Sequence, residues 1–237
     1  MRALLLAAGL GTRLRPITNT IPKCLVPIHG KPLLGYWLDL LLGSGKIERV
    51  LVNLHYFPDA VRQFVVSSRW REQVDVVHED TLLGTGGTVL ANAGHFSRDA
   101  FMVVHADNLS LFDVRAFIGC HARRPKGCVI TMMTFATDQP QNSGIVELDR
   151  LGVLTAFHEK VANPPGNLAN GAVYIFEPEV VDFLRSFGKP VIDISTEVIP
   201  SFVGRIFTFL NDSYHRDIGT PETLRAAESE YPGHPAA

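Results

Sequence analysis

The stretch Ala3-Leu4-Leu5-Leu6-Ala7-Ala8-Gly9-Leu10-Gly11-Thr12-Arg13-Leu14-Arg15-Pro16 decides how the rest of the chain is read. Its first residues are uniformly apolar, as in a strand buried on both faces, and the run ends at Gly9. A Gly-rich loop follows the strand directly. Glycines let a backbone approach a phosphate closely and turn its N–H groups toward it. The loop is not a Walker A motif, because no Gly-Lys-Ser/Thr closes it. It is not a dinucleotide fingerprint either, because Leu14 stands where the third Gly would fall. Its company is more telling. Arg13 offers a planar fork for bidentate phosphate contact, and Lys23, just after Pro22, a mobile point charge. Together they would hold a polyphosphate and neutralise charge as it develops. A tight turn with solvated basic residues is the bland alternative, and it weakens once Arg13 and Pro22-Lys23 are counted with the glycines.

Outward from this loop, short apolar runs alternate with helical patterns. Leu33 to Leu42 has helical spacing and stops at Gly43 and Gly45. Strands are expected at Val50–Leu54, Val74–His78, Phe101–Val104 and Val129–Thr134. Helices are expected at Asp59–Val66, Thr88–Ala93 and Asp113–His121. This alternation predicts an α/β fold with a doubly wound, mostly parallel, Rossmann-like sheet. The second half is richer in β-structure. A hairpin is expected from Gly144–Leu148 and Val153–Phe157 around Asp149–Gly152, followed by a loop over Asn163–Asn167. Further strands are expected at Ala172–Phe176 and Ile206–Leu210, with a helix from Pro178 to Leu184. Thr220-Pro221-Glu222 reads as cap, first turn and dipole partner of a last helix. One domain is expected over residues 1–230, with residues 231–237 frayed.

Composition narrows the function classes. The chain has 237 residues, 46% apolar and 19% charged, and 22 basic against 24 acidic side chains leave a net charge of −2. A polybasic arm, a nucleic-acid stripe or an acidic tail is thereby excluded as the main feature. Cys24, Cys120 and Cys128 form no paired framework, which fits a reducing compartment. The apolar run after Arg2 is too short for a signal core, and Leu33–Leu42 is too short to span a bilayer. A cytoplasmic protein with no nucleic-acid or membrane partner is the expectation. The histidines, among them His55, His78, His95, His105, His121, His158 and His215, never fall at zinc-ligand spacing. Ser143 and Ser195 lack a nucleophile-elbow pattern, so covalent catalysis finds no support. Cys24 reads as a small apolar packer, and Trp37 and Trp70 as helix packing residues.

The segment Gly9–Pro16, followed by Pro22-Lys23-Cys24-Leu25-Val26-Pro27 and Gly30-Lys31-Pro32, resembles the signature of the sugar-1-phosphate nucleotidylyltransferases, and the likeness runs almost to the C-terminus. The resemblance implies transfer of a nucleotide onto a sugar-1-phosphate. Residues 1–135 then form a nucleotide-binding half and 136–217 a sugar-binding half. Arg13, Lys23 and Asp107 take catalytic roles, and Ala8, Gly9, Gly11, Thr12, Glu79, Gly84 and Thr85 bind the nucleotide. Asp107 lies past an apolar strand, where ligands bind in parallel sheets. Two carboxylates with phosphate oxygens and waters suit Mg²⁺. Taken alone, Asp107 reads equally as a turn residue and Asp217 as a cap near Thr220; the resemblance pairs them on the metal. Ala106 departs from the family, which usually has Gly there.

Leu83-Gly84-Thr85-Gly86-Gly87 resembles the guanylyltransferase branch for mannose- and heptose-1-phosphates, and the Gln typical of thymidylyl- and uridylyltransferases is missing. GTP is the implied nucleotide. Gly144, Glu159, Lys160 and Asn170 match the family's sugar-phosphate positions, although from the pattern alone Glu159 and Lys160 read as a solvated hairpin edge. Val161 replaces the usual Pro, and Asn170-Gly171-Ala172-Val173-Tyr174 swaps the order of the small residues. A uridylyltransferase for an amino-sugar phosphate such as N-acetylmuramate-1-phosphate is the runner-up. A non-catalytic nucleotide-sugar sensor would be expected to lack Arg13, Lys23, Asp107 or Asp217, and all four are present. Room for the C-terminal β-helix of some relatives is not expected, and a monomer and a homodimer both remain open.

Overall fold

The computed structural model describes residues 1–96 and 98–233. In chain order its first elements are β1 (Arg2–Leu6), β2 (Pro27–Ile28), β3 (Lys31–Pro32), α1 (Leu33–Gly43), β4 (Arg49–Leu54), α2 (Pro58–Ser67), β5 (Val74–His78) and α3 (Gly84–Ala91). Then come β6 (Phe101–His105), β7 (Asn108–Leu111), α4 (Val114–Ala122), β8 (Ile130–Ala136), β9 (Gly144–Leu148) and β10 (Leu154–Glu159). The last are β11 (Leu168–Phe176), α5 (Pro178–Ser186), β12 (Ile206–Leu210), β13 (Tyr214–Asp217) and α6 (Pro221–Glu230). The fold is α/β, with β1, β4 and β5 parallel in a Rossmann-like manner. Two compact units are each assembled from separated segments: Arg2–Thr81, His105–Val114 and Ser213 onward form one, Leu82–Val104 and Arg115–Asp212 the other.

In the first unit, Leu4 pairs with Leu51 and Val52 with Val76, and Ala3, Leu4 and Leu5 of β1 are fully buried. α1 follows Pro32, whose fixed φ suits a helix start, and buries Leu33, Leu34, Trp37, Leu38 and Leu41. Each such side chain contributes roughly 1.5–3 kcal/mol on leaving water. Gly45 turns the chain with φ 67°, a left-handed conformation that ends the helical segment. The indole of Trp37 donates to the carbonyl of Asn108 at 2.8 Å and so ties α1 to β7. β7 pairs antiparallel with β13 in a two-stranded ribbon that the sequence did not announce. α6 begins as expected: the Thr220 hydroxyl accepts from the Thr223 N–H, and the Thr223 hydroxyl accepts from that of Thr220. Leu224 and Ala227 pack with Leu14, Val26 and Ile28.

Tyr231, expected in the frayed tail, is instead buried, its ring 5.1 Å from Tyr36 and 5.3 Å from Tyr214. An aromatic ring with two edge-on partners gains more than a terminal residue loses in freedom. Residues 234–237, assigned to the same tail, lie outside the described residues. Trp70 also departs from expectation. It sits in a turn beyond α2, and its indole donates to Asp39 at 2.6 Å.

In the second unit, β11 is the hub, antiparallel to β6, β8 and β9, while β12 runs parallel to β8. The β9–β10 hairpin forms as expected, its turn fixed by the Asp149 carboxylate accepting from Leu151 and Val153 N–H. Phe101 stacks on Phe96 at 4.1 Å and meets Phe176 edge-on at 5.9 Å. α3 begins at Gly84, four residues before the expected Thr88. A short π turn at Ile194–Val198, capped by Asp193, was not expected at all. Among the described residues no helix is long and apolar enough to cross a membrane.

Candidate active site

The first unit carries the Gly-rich loop that follows the first strand. β1 ends at Leu6, and the next N–H, on Ala7, donates to the buried Asn53 side chain at 2.7 Å. Asn53 in turn donates to Glu79 Oε1 at 3.0 Å, so one amide fixes both the start of the loop and a buried carboxylate at the end of β5. Ala8 is buried just before the loop, whereas a Cβ on Gly9 would meet nothing within 4 Å. The backbone there is open to a ligand. Gly11 has φ 61°, which glycine adopts without strain, and its carbonyl accepts from Thr18 Oγ1 at 2.8 Å and from Leu14 N–H at 3.0 Å. Those two bonds close the loop into the helical turn Thr12–Leu14 and leave the Arg13 side chain 67% exposed.

Lys23 follows Pro22 into another helical turn and is almost wholly buried, its side chain 6% exposed. Its ammonium lies 2.8 Å from Asp107 Oδ2 and 3.7 Å from Asp217 Oδ1. Arg13 reaches Asp217 Oδ2 at 3.6 Å. The two carboxylates are 110 residues apart in sequence (217 − 107) and meet because of the β7–β13 ribbon, where Asp217 pairs with Asn108, the residue after Asp107. Two rungs further along, Ser110 and the ring of His215 share a 2.5 Å hydrogen bond across the ribbon. Burial pushes His215 down to about 3 despite the neighbouring Asp107, so the ring is neutral at pH 7. Burial alone would raise the Asp107 carboxyl, but Lys23, His105 and hydrogen bonds together outweigh it, and the group sits below its ordinary value. Gly219 completes the arrangement, since a Cβ there would stand 2.5 Å from Asp217 Oδ2 and 3.0 Å from Arg13 Cζ. Gly9, Gly11, Thr12, Arg13, Lys23, Asp107 and Gly219 line a cleft of about 130 Å³.

The second unit holds the remaining candidates. Gly84 opens α3 with φ 71°, and the N–H groups of Gly86 and Gly87 both donate to the Ile192 carbonyl. The Thr85 hydroxyl accepts from Ile194 N–H at 2.7 Å and reaches Asp193 at 3.3 Å. A Cβ on Gly84 would stand 2.6 Å from Ile192 O, and one on Gly87 2.1 Å from Pro190 O. The Gly-rich signature therefore has a packing task against residues 190–194, independent of any ligand. Gly144 pairs with Glu159, and a Cβ on it would come 2.6 Å from Glu159 Oε2. Lys160 pairs with Glu159 at 3.4 Å and is 67% exposed. Asn170 donates to the hydroxyl of fully buried Tyr174 at 2.7 Å and accepts from Ala172 N–H at 2.9 Å. Burial raises Tyr174, Asn170 pulls it down, and Glu159 and Asp193 raise it further, so the phenol keeps its proton.

Asn53, Gly219 and Asp193 escaped the sequence reading. Gly219 alone had a legible signal, two residues beyond Asp217. The others lie inside ordinary strand or loop text, and only tertiary pairing gives them their neighbours. Cys24 is a buried thiol, pushed up to about 12 chiefly by desolvation, which matches its reading as a packing residue. Among the described residues no group of three or more His, Cys, Asp or Glu side chains is placed to hold a metal. What the first unit offers instead is a carboxylate pair.

An open Gly-rich loop, a buried lysine and two carboxylates at strand ends thus lie together in the first unit. The nucleotidyl transferase family pattern matches residues 2–233, and the chain belongs to that family. It is 33% identical over 225 residues to a mannose-1-phosphate guanylyltransferase of Mycobacterium tuberculosis, covering 93% of this chain and 61% of that protein. A UTP–glucose-1-phosphate uridylyltransferase of Synechocystis is 34% identical over 220 residues, covering 86% and 55% respectively. The chain thus spans about three fifths of the length of these curated relatives. HddC from Yersinia pseudotuberculosis, solved in complex with GMP-PN, superposes with a TM-score of 0.80 at 25% identity over 97% of this chain and 99% of that one.

Proposed function

We propose that the chain is a sugar-1-phosphate nucleotidylyltransferase that uses GTP and a mannose- or heptose-type sugar-1-phosphate, releasing pyrophosphate. The carrying observation is the contact of buried Lys23 with Asp107 and Asp217 beside the open Gly9–Arg13 loop, in a chain of the nucleotidyl transferase family. Kinship with a guanylyltransferase and with a structure holding GMP-PN supports GTP. The unpaired cysteines among the described residues fit a cytoplasmic setting.

An oxygen of the sugar phosphate attacks the α-phosphorus in line; the new P–O bond forms as the bond to the β-phosphate oxygen breaks. The attacking phosphate is already anionic at pH 7, so no protein nucleophile or base is needed. Positioning and charge neutralisation supply the rate. Gly9, Gly11 and Thr12 present backbone groups to the triphosphate. Arg13 holds the β- and γ-phosphates and then the leaving pyrophosphate. Lys23 stabilises charge at the α-phosphate, and Lys160 neutralises the sugar phosphate. Asp107 and Asp217 supply the oxygen donors that Mg²⁺ favours, and the ion when bound neutralises phosphate charge.

The test measures pyrophosphate release from GTP, UTP, dTTP, CTP and ATP against a panel of sugar-1-phosphates, with Mg²⁺ and with EDTA. Metal-dependent release with GTP and a mannose- or heptose-type phosphate is expected. Release only with UTP would transfer the chain to the uridylyltransferase reading, which the Synechocystis relative favours. Silence across the panel, in protein shown to bind a nucleotide-sugar, would favour a regulatory role.

A further inference from the structure

Four formal charges meet in the first unit's cleft: Asp107 and Asp217 against Lys23 and Arg13. Two negatives and two positives leave no net charge to attract a divalent cation. The contacts of Lys23 are those of an ion shared by two carboxylates, and its side chain is nearly sealed from water. Water therefore screens it poorly, and a second cation on the same oxygens would meet strong like-charge repulsion. Nor can the lysine retreat into solvent. Pro22 and the turn Lys23–Leu25 fix its backbone, and Cys24 and Leu25 beside it are buried. The other oxygens within its reach would be those of a polyphosphate lying along the Gly9–Arg13 loop. Mg²⁺-type ions bind through one or two carboxylates together with substrate phosphates.

We infer that Lys23 holds the metal's place on Asp107 and Asp217, so that the protein takes up a divalent cation only together with a nucleoside triphosphate, whose phosphates draw the ammonium off the carboxylates. The inference rests on the nucleotidyl-transfer reading above and adds to it an order: bare metal is excluded, and the cation arrives as the metal–nucleotide complex.

Electron paramagnetic resonance of free Mn²⁺ tests this without turnover. In nucleotide-free wild type, millimolar Mn²⁺ should remain free. The Lys23→Met variant, which keeps the length and removes the charge, should bind one Mn²⁺ per chain at least about tenfold more tightly. The added Asp107→Asn change should abolish that gain. Wild type given MnCl₂ with a non-hydrolysable GTP analogue should bind both together. Tight binding of one Mn²⁺ to nucleotide-free wild type, lost in Asp107→Asn, would overturn the inference, as would a Lys23→Met protein that binds no better than wild type. If Lys23→Met does not fold, Lys23→Gln replaces it, and the wild-type titration decides on its own. The two readings fail separately. A silent nucleotide panel sinks the transfer activity, whereas metal binding without nucleotide sinks only the role given to Lys23.

Discussion

Lys23 and Asp107 show how much one contact can carry. Catalysis by charge neutralisation demands interactions stronger in the transition state than in the ground state. Lys23→Ala or Asp107→Ala is therefore expected to lower kcat by on the order of 10²–10³, the usual loss for one preorganised electrostatic partner. Nucleotide affinity, measured by equilibrium titration, should change far less. Equal losses in both would contradict the assigned roles. Asp39 gives a residue-scale prediction of stability. Burial would raise its carboxyl, but Lys31, Trp70 and Arg69 hold it below the ordinary 3.8. A depressed carboxyl contributes stability above its unfolded value and loses it as pH falls through the folded one. At pH 7, Asp39→Asn should cost about 1–2 kcal/mol, discounted for partial exposure, and lower the thermal midpoint by about 2–6 °C. The gap between variant and wild type should close as pH drops below 3.8. A gap unchanged at acid pH would show that ionisation is not what stabilises.

At the scale of elements, the same residue type does different work in different places. A methyl on Gly87 would collide with Pro190 O at 2.1 Å, a backbone atom that cannot step aside. Gly87→Ala should cost about 1–3 kcal/mol in calorimetry, as overpacking does. A methyl on Gly9 meets no protein atom within 4 Å, so Gly9→Ala should leave the midpoint nearly unchanged. Its effect should fall on the nucleotide KM, about tenfold for each 1.4 kcal/mol of lost backbone approach. If Gly9→Ala destabilised and Gly87→Ala did not, the division between ligand-facing and packing glycines would be wrong. This division was not legible in the sequence, where both stretches show only clustered glycines after a strand. β1, α1, β4 and β5 were legible because short apolar runs and an apolar helix carry strong local patterns. β7 and β13 were not. Asn108-Leu109-Ser110-Leu111 is only four residues long, and it becomes a strand because Tyr214–Asp217 lies beside it.

On the scale of the whole chain, each compact unit carries its own group of candidate residues. The Gly9–Arg13 loop, Lys23, Asp107 and Asp217 belong to one; Gly144, Glu159, Lys160 and Asn170 belong to the other. The first group was legible largely because its members are punctuated by Gly and Pro and carry formal charge. The second was legible only by likeness to a family, since a Glu-Lys pair on a hairpin edge looks the same whether it binds a sugar or merely faces water. Kinetics distinguishes these cases. Glu159 is mostly shielded, with Gly144 making room for its carboxylate, whereas a solvated edge residue would lie in the open. If Glu159 accepts hydrogen bonds from sugar hydroxyls, Glu159→Gln weakens a charge-assisted contact made in both ground and transition states. The expected result is a KM for the sugar phosphate raised by roughly tenfold, with kcat and the nucleotide KM almost unchanged. Arg13→Ala, in the other unit, should show the reverse pattern: nucleotide KM and kcat altered, and the sugar-phosphate KM nearly constant. Were Glu159→Gln to leave the sugar-phosphate KM alone, the solvated-edge reading would stand, and the sugar would have to be held by other side chains of the second unit.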